Sequence, residues 1–143
     1  MDYRKGSIER VFVARVDHGE DLLEELTKLA LKENIRSAFF MVLGAAGEAK
    51  LVTGPKEKSV PPEIVWSGFD DVREVFGAGN IFWENRAPKI HLHAAAGSSK
   101  EITMGCIRKK AKAFMVLEIF IIETDIKAER LVNEKIGFSP ITF

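Results

Sequence analysis

The chain has 143 residues, of which 46% are apolar and 29% are charged, and this suits one domain with its own core. Its 21 basic residues balance 21 acidic ones, so it lacks the strong positive field that is typical of nucleic-acid and anionic-membrane binders. The single cysteine excludes an intrachain disulfide and gives no sign of an oxidising compartment. We therefore expect a cytoplasmic protein.

The sequence predicts neither a targeting segment nor a membrane span. Residues 1–6 lack the apolar stretch of a signal peptide, and the longest apolar run, 114–122, contains Glu118. That run is also far shorter than the ~20 residues of a membrane helix. We expect a soluble protein without a membrane partner. No glutamine occurs, whereas lysine and glutamate are abundant, a bias that resembles heat-adapted proteins and indicates a thermophile.

The first two predicted elements are a strand and a helix. Residues 8–16 alternate in polarity and are rich in β-branched and aromatic types, which predicts a strand. Residues 20–33 carry leucine and alanine at spacings of three and four, which predicts an amphipathic helix. Glu20 and Asp21 lie where the helix dipole favours negative charge, and Asn34 ends the helix.

Strands joined by short turns are predicted for the rest of the chain. Segments 44–47, 77–80 and 108–112 are interpreted as turns, and a short helix is expected over 127–134. The predicted strands cover residues 37–43, 49–53, 62–76, 81–83, 89–96, 101–107 and 113–123. Because strands and helices do not alternate regularly, we expect an α+β fold: a mostly antiparallel sheet of about seven strands with one main covering helix. Residues 1–143 are expected to form a single domain.

Two of the three histidines are the best candidates for metal ligands. His91 and His93 are two residues apart in a predicted strand, so both side chains point to the same face. The chain then turns around Ser98 and Ser99 and returns toward Cys106. If these two serines form the loop tip, Cys106 lies opposite His91 and shares the face of both histidines.

This site depends on the register of the hairpin. The same two-residue loop pairs His93 with Met104, whereas a three-residue loop turns Cys106 to the other face unless a bulge at Gly105 turns it back. The alternative without a metal is a hydrogen-bonded histidine pair beside a small core cysteine. Two imidazoles and one thiolate suit zinc, with a fourth position left for water or substrate. We predict that His91, His93 and Cys106 bind one zinc ion.

Two further residues bear on this site. Glu118 interrupts an apolar stretch that should be buried, and a buried carboxylate needs a partner. It could hydrogen-bond a ligating imidazole, act as a base on metal-bound water, or pair with a basic residue of segment 108–110. His18, just before Gly19, is interpreted as a turn or cap residue outside the site.

Five segments in a fixed order carry a family resemblance: Arg15–Leu22, Gly79–Ile81, Pro88–Ala94, Met104–Cys106 and Leu117–Ile121. They resemble the plants-and-prokaryotes conserved (PPC) domain in its free-standing prokaryotic form, over roughly residues 8–123. The resemblance implies an antiparallel α+β fold, a homotrimer and a distant structural similarity to zinc-dependent acetolactate decarboxylases. The family's Pro-x-x-His-x-His segment is intact here, and Cys106 stands where a third histidine is common.

The resemblance leaves three functions to compare. The favoured one is a metal-binding homotrimer with a role in assembly or interaction. The second is a zinc-dependent lyase or hydrolase acting on a small oxygenated substrate, for which Glu118 is the candidate acid or base; the sequence leaves open whether catalysis occurs. The third is DNA binding. Plant members carry an AT-hook for the minor groove, and this chain has neither that segment nor a positive net charge, so direct DNA binding is not expected.

Overall fold

The computed structural model describes all 143 residues and contains one helix and eight strands. In chain order the elements are β1 (Ile8–Asp17), α1 (Leu22–Lys32), β2 (Ser37–Pro55), β3 (Ile64–Phe69), β4 (Arg73–Glu84), β5 (Ala87–Gly97), β6 (Ile102–Thr124), β7 (Glu129–Arg130) and β8 (Ile141–Thr142). One parallel contact joins β4 to β7, and every other strand pair is antiparallel. The expected α+β class with one main helix is confirmed.

Strands β2, β6, β5 and β4 form a closed ring. β6 pairs with β2 on one side and β5 on the other, while β4 pairs with β5 and with the first half of β2. β1 extends the second half of β6, and β3 extends the second half of β2. Because side chains alternate along each strand, the ring has an inward apolar face and a separate outward face.

The helix α1 covers part of this core. It packs against β5 and β6, and Leu22, Leu26 and Ala30 are its buried residues. Asp21 caps the helix, since its carboxylate accepts hydrogen bonds from the backbone N–H groups of Leu23 and Glu24. α1 has neither the length nor the apolar composition needed to cross a membrane.

Two predicted turns are wrong because β2 and β6 are long continuous strands. Segment 44–47 lies inside β2, and segment 108–112 lies inside β6. The register between these strands shifts between Gly44 and Ala45 and again between Lys50 and Leu51. Glycines and lysines at these places therefore mark bulges in paired strands, where extra residues are absorbed without ending the ladder.

Two other local predictions are also wrong. Segment 77–80 lies inside β4, and the helix expected over 127–134 is replaced by β7 and irregular chain. A Cβ on Gly79 would overlap both the ring of Phe40 and the backbone oxygen of His91. Glycine is therefore needed here because the neighbouring chain and ring approach closely, and no turn is required.

Gly79→Ala is expected to destabilise the protein by about 1–3 kcal/mol, because the added methyl group must displace a ring and a backbone atom in a packed core. Urea unfolding measures this free energy. Gly47→Ala is the matched control, since its Cβ would meet the Cβ of Phe114 at an ordinary 3.7 Å. Equal stability losses in the two variants would contradict the packing argument.

Candidate metal centre

The β5–β6 hairpin carries the predicted ligands in a register that differs from the expected one. His93 pairs with Cys106, and Ala95 pairs with Met104. The expected pairings of His91 with Cys106 and of His93 with Met104 are therefore wrong. His93 faces a residue two positions further along β6 than expected, and an even shift leaves Cys106 on the face of the histidines.

A longer loop explains this register. Gly97 pairs with Ile102, so residues 98–101 form the loop, and the N–H of Ser98 donates to the carbonyl of Glu101 at 2.9 Å. Arg73 of β4, whose side chain is buried, donates to the carboxylate of Glu101 at 2.6 Å. This contact from a distant strand helps to fix a loop that the local sequence does not specify.

The three predicted ligands converge. The candidate ligand atoms of His91, His93 and Cys106 all lie within 4.8 Å of one another. The Nε2 atoms of the two histidines are 3.2 Å apart, and their rings are nearly perpendicular at 83°. A tetrahedral zinc with Zn–N bonds of about 2.0–2.1 Å holds two nitrogens roughly 3.3–3.4 Å apart. The imidazole pair thus already has the spacing of two zinc ligands.

Burial prepares His91 for coordination. Its ring is half-buried, whereas His93 is exposed and Cys106 is buried. Burial, followed by the charges of Arg130, His93 and Arg108, lowers the pKa of His91 to about 4. The ring is therefore neutral at pH 7 and has a lone pair available for a metal ion.

A cavity of about 600 Å³ opens beside His91 and Cys106. Arg130, at the end of β7, lines it together with Glu84. Nη2 of Arg130 donates to Oδ1 of Asn80 at 2.7 Å and lies 3.4 Å from Nδ1 of His91. None of these three neighbours is predicted from the sequence, because residue 80 lies in a predicted turn, residue 130 lies in a predicted helix and Glu84 belongs to no motif.

Glu118 lies outside this cluster. Its side chain is exposed, it pairs with Arg15 of β1, and it stands near the opposite end of β6 from Cys106. The expectation that it is a buried carboxylate is therefore wrong. The buried carboxylate of β6 is Glu123, which is 4% exposed and binds Arg10 at 2.5 Å.

His18 has a structural role away from the cluster. Its Nδ1 accepts a hydrogen bond from the backbone N–H of Met115 at 3.1 Å. Its ring packs edge-on against Phe114, with ring centroids 5.5 Å apart. Met115 has a φ of +60°, where β6 bulges, so His18 supports an irregular point of the strand, in agreement with its interpretation as a turn residue.

Acidification is expected to destabilise the metal-free protein. The pKa of His91 is about 4 in the folded chain and 6.5 in a free histidine, so between these values the unfolded chain binds a proton that the folded chain does not. Stability is therefore undiminished above pH 6.5 and falls as the pH drops toward 4, by about 1–2 kcal/mol for a half-exposed ring. Urea unfolding with a chelator at pH 7 and pH 4.5 measures the loss.

His91→Gln should remove this part of the pH dependence, and His18→Gln should keep it. An equal loss of stability on acidification in the wild type and His91→Gln would show that another group titrates.

Known proteins share this sequence pattern and fold. The model of the Plants and Prokaryotes Conserved (PCC) domain matches residues 3–125. A metal-containing protein from Archaeoglobus fulgidus is 23% identical, with a TM-score of 0.89 and 100% of both chains covered. A plant- and prokaryote-conserved protein from Pyrococcus horikoshii is 24% identical, with a TM-score of 0.83 over 98% of this chain and 97% of that chain.

A third solved structure has a different kind of name. It belongs to a protein from Ralstonia eutropha whose name refers to DNA binding. The two chains are 22% identical, with a TM-score of 0.79 over 92% of this chain and 90% of that chain. At such identities these structures show a shared fold. Among curated proteins none matches the chain.

Proposed function

This chain belongs to the Plants and Prokaryotes Conserved domain family, and on that premise we propose that it is a zinc-binding homotrimer that acts as one domain over residues 1–143. The observation that carries the proposal is the convergence of His91, His93 and Cys106 within 4.8 Å. Two imidazoles and a thiolate favour zinc over magnesium or calcium, which prefer oxygen ligands. The fold shared with a metal-containing protein supports a metal here.

The donor atoms of the three residues match those that zinc prefers. His91 and His93 would ligate through nitrogen and Cys106 through its thiolate, which leaves one position of a tetrahedral ion open. A zinc ion held in this way supplies a Lewis acid. The protein itself contributes the neutral His91 ring and the adjoining cavity of about 600 Å³.

This cavity favours a second candidate function, a lyase or hydrolase that acts on a small oxygenated substrate. Glu118 is not placed to serve it, whereas Glu84 lines the cavity. The polar neighbours Ser139 and Lys89 lower the pKa of Glu84. This carboxylate therefore stays ionised at neutral pH and suits the role of a hydrogen-bond acceptor for substrate better than that of an acid.

The outward face of the ring supports assembly. Phe120 pairs with Met41 of β2 and Val13 of β1, and these three side chains are 39%, 40% and 71% exposed. Leu43 and Phe76 pair next to them and are also exposed. A contiguous apolar patch across several strands is typical of a protein interface.

The surface area of the chain agrees with assembly. Its accessible surface is 9055 Å² for a mass of 16.0 kDa. A folded monomer of this mass typically exposes about 7,400 Å². An isolated copy therefore leaves more surface uncovered than a self-contained monomer does, which supports burial against further copies.

DNA contact is not part of the proposal. The name of the Ralstonia eutropha protein raises it, but 21 basic residues here are balanced by 21 acidic ones. Phosphate contacts supply most of the affinity of non-specific DNA binding and need an excess of positive charge.

Elemental analysis of the purified chain, after incubation with zinc and removal of the excess, tests the metal proposal. We expect one zinc per chain, retained in the presence of excess magnesium and calcium. A chain that binds no transition metal under these conditions would refute the zinc-binding function, and light scattering on the same sample would decide the trimer separately.

A further inference from the structure

Arg130 is a buried cation that forms no ion pair with a carboxylate. The residue is 8% exposed, and its Nη1 and Nη2 donate to neutral oxygens, the carbonyl of Ser139 at 2.6 Å and Oδ1 of Asn80 at 2.7 Å. Its Nε is buried and has no hydrogen-bond partner. Burying a guanidinium charge is costly unless an opposite charge compensates it. The charge of Glu84 favours the Arg130 cation, but no carboxylate is in direct contact with it.

Glu84 does not fill this need. One carboxylate oxygen, Oε2, accepts from Nζ of Lys89 at 2.9 Å, so Lys89 already balances its charge. The other oxygen, Oε1, is buried and has no partner. Arg130 and Glu84 line the same cavity of about 600 Å³. The lining of that cavity carries three cations, Lys89, Arg108 and Arg130, against two carboxylates, Glu84 and Glu134, which leaves an excess of one positive charge.

We infer that this cavity binds a small hydroxycarboxylate, with Arg130 as the cation that anchors its carboxylate. A carboxylate accepts hydrogen bonds from a guanidinium and supplies the missing charge. A hydroxyl group on the same molecule can donate to Glu84. A volume of about 600 Å³ suits a small molecule.

The inference deepens the proposed function, because His91 connects the cavity to the metal centre. The coupling between carboxylate binding and the metal rests on zinc binding. A neutral imidazole carries one proton, so a metal ion on Nε2 leaves the proton on Nδ1. Nδ1 of His91 then cannot accept a hydrogen bond from Nη2 of Arg130, which lies 3.4 Å away. Zinc therefore frees a donor of Arg130, and zinc and the carboxylate should strengthen each other's binding.

The anchor comes from outside the matched part of the chain. The family model covers residues 3–125, whereas Arg130 and Ser139 belong to the segment that follows. The proposed carboxylate site therefore joins residues inside the family match, Asn80, Glu84 and His91, to an anchor outside it.

Calorimetric titration with L-lactate tests the inference, on the zinc-loaded and the zinc-free protein. Lactamide is the neutral counterpart of this probe. We expect lactate to bind, lactamide to show no binding, and zinc to tighten the lactate complex. Arg130→Gln should weaken lactate binding by about tenfold or more, while Arg15→Gln, the same change at an exposed arginine of β1, should leave it unchanged.

Asn80→Asp keeps the test decisive if Arg130→Gln folds poorly. It places a carboxylate against Nη2 of Arg130, so it should raise the melting temperature and weaken lactate binding by about tenfold or more. The zinc content should stay at the wild-type value. Wild-type affinity for lactate in Asn80→Asp, or equal binding of lactamide and lactate, would overturn the inference.

The two proposals can fail separately. Arg130-dependent lactate binding by a chain that takes up no zinc would remove the metal function and leave the carboxylate site standing. Stoichiometric zinc without any lactate binding would overturn the carboxylate site alone.

Discussion

Alanine in place of His91 or His93 is expected to abolish stoichiometric zinc binding. Each change removes one of three convergent ligands, and the loss of a direct ligand should exceed the roughly 10–100-fold cost of losing a residue that only orients one. Cys106→Ser should weaken zinc binding by at least about 100-fold, because a neutral hydroxyl is a much poorer ligand than a thiolate. Competition with a chromophoric chelator measures these affinities.

His18→Ala is the matched control for the histidine variants. His18 contacts Met115 and Phe114 and lies outside the cluster, so its removal should leave zinc affinity unchanged. Wild-type zinc binding should also weaken as the pH falls, since the imidazoles and the thiolate must be deprotonated to coordinate. If Cys106→Ser binds zinc with unchanged affinity, the protein supplies only the two histidines as ligands.

Phe120→Lys is expected to convert the proposed homotrimer to monomers. Phe120 lies between Met41 and Val13 on the outward face, and a charge placed in the middle of an apolar interface must be desolvated without a partner. The folded monomer should keep its stability, because Phe120 is 39% exposed and points away from the core. Light scattering at micromolar concentration reports the change in mass.

Leu31→Lys provides the comparison. Leu31 is an exposed leucine, 53% accessible, near the end of α1, which packs against β5 and β6. The Leu31→Lys variant should assemble as the wild type does. If the Phe120→Lys variant has the mass of a trimeric wild type, the interface lies on another surface. If the wild type is itself a monomer, the homotrimer is not part of the function.

Elements with a regular side-chain pattern could be predicted from the sequence. β1, α1 and β5 lie within one to two residues of their expected bounds, because in each of them alternate or helical positions face one core. β2 and β6 could not be predicted as single strands. Their bulges are held by pairing with distant segments, whereas glycine at 44 and the lysines of 108–112 locally resemble turns.

The candidate site could likewise be predicted only in part from the sequence. The two-residue spacing of His91 and His93 was enough to place both rings together, and Cys106 joins them because the actual shift in register is even. The position of Arg130 could not be inferred, since it depends on how the chain after β6 folds back along β4. No local pattern encodes a return of this kind.

The walls of the cavity beside the candidate metal centre come from two parts of the chain that can evolve at different rates. The candidate metal ligands lie on a hairpin of the central ring, where a substitution must respect packing on both sides. The opposite cavity wall comes from residues 130–139, which contain the single bridge between Asn133 and Phe138 and several exposed positions. Drift in this segment can therefore reshape the cavity while the hairpin and the fold are inherited unchanged.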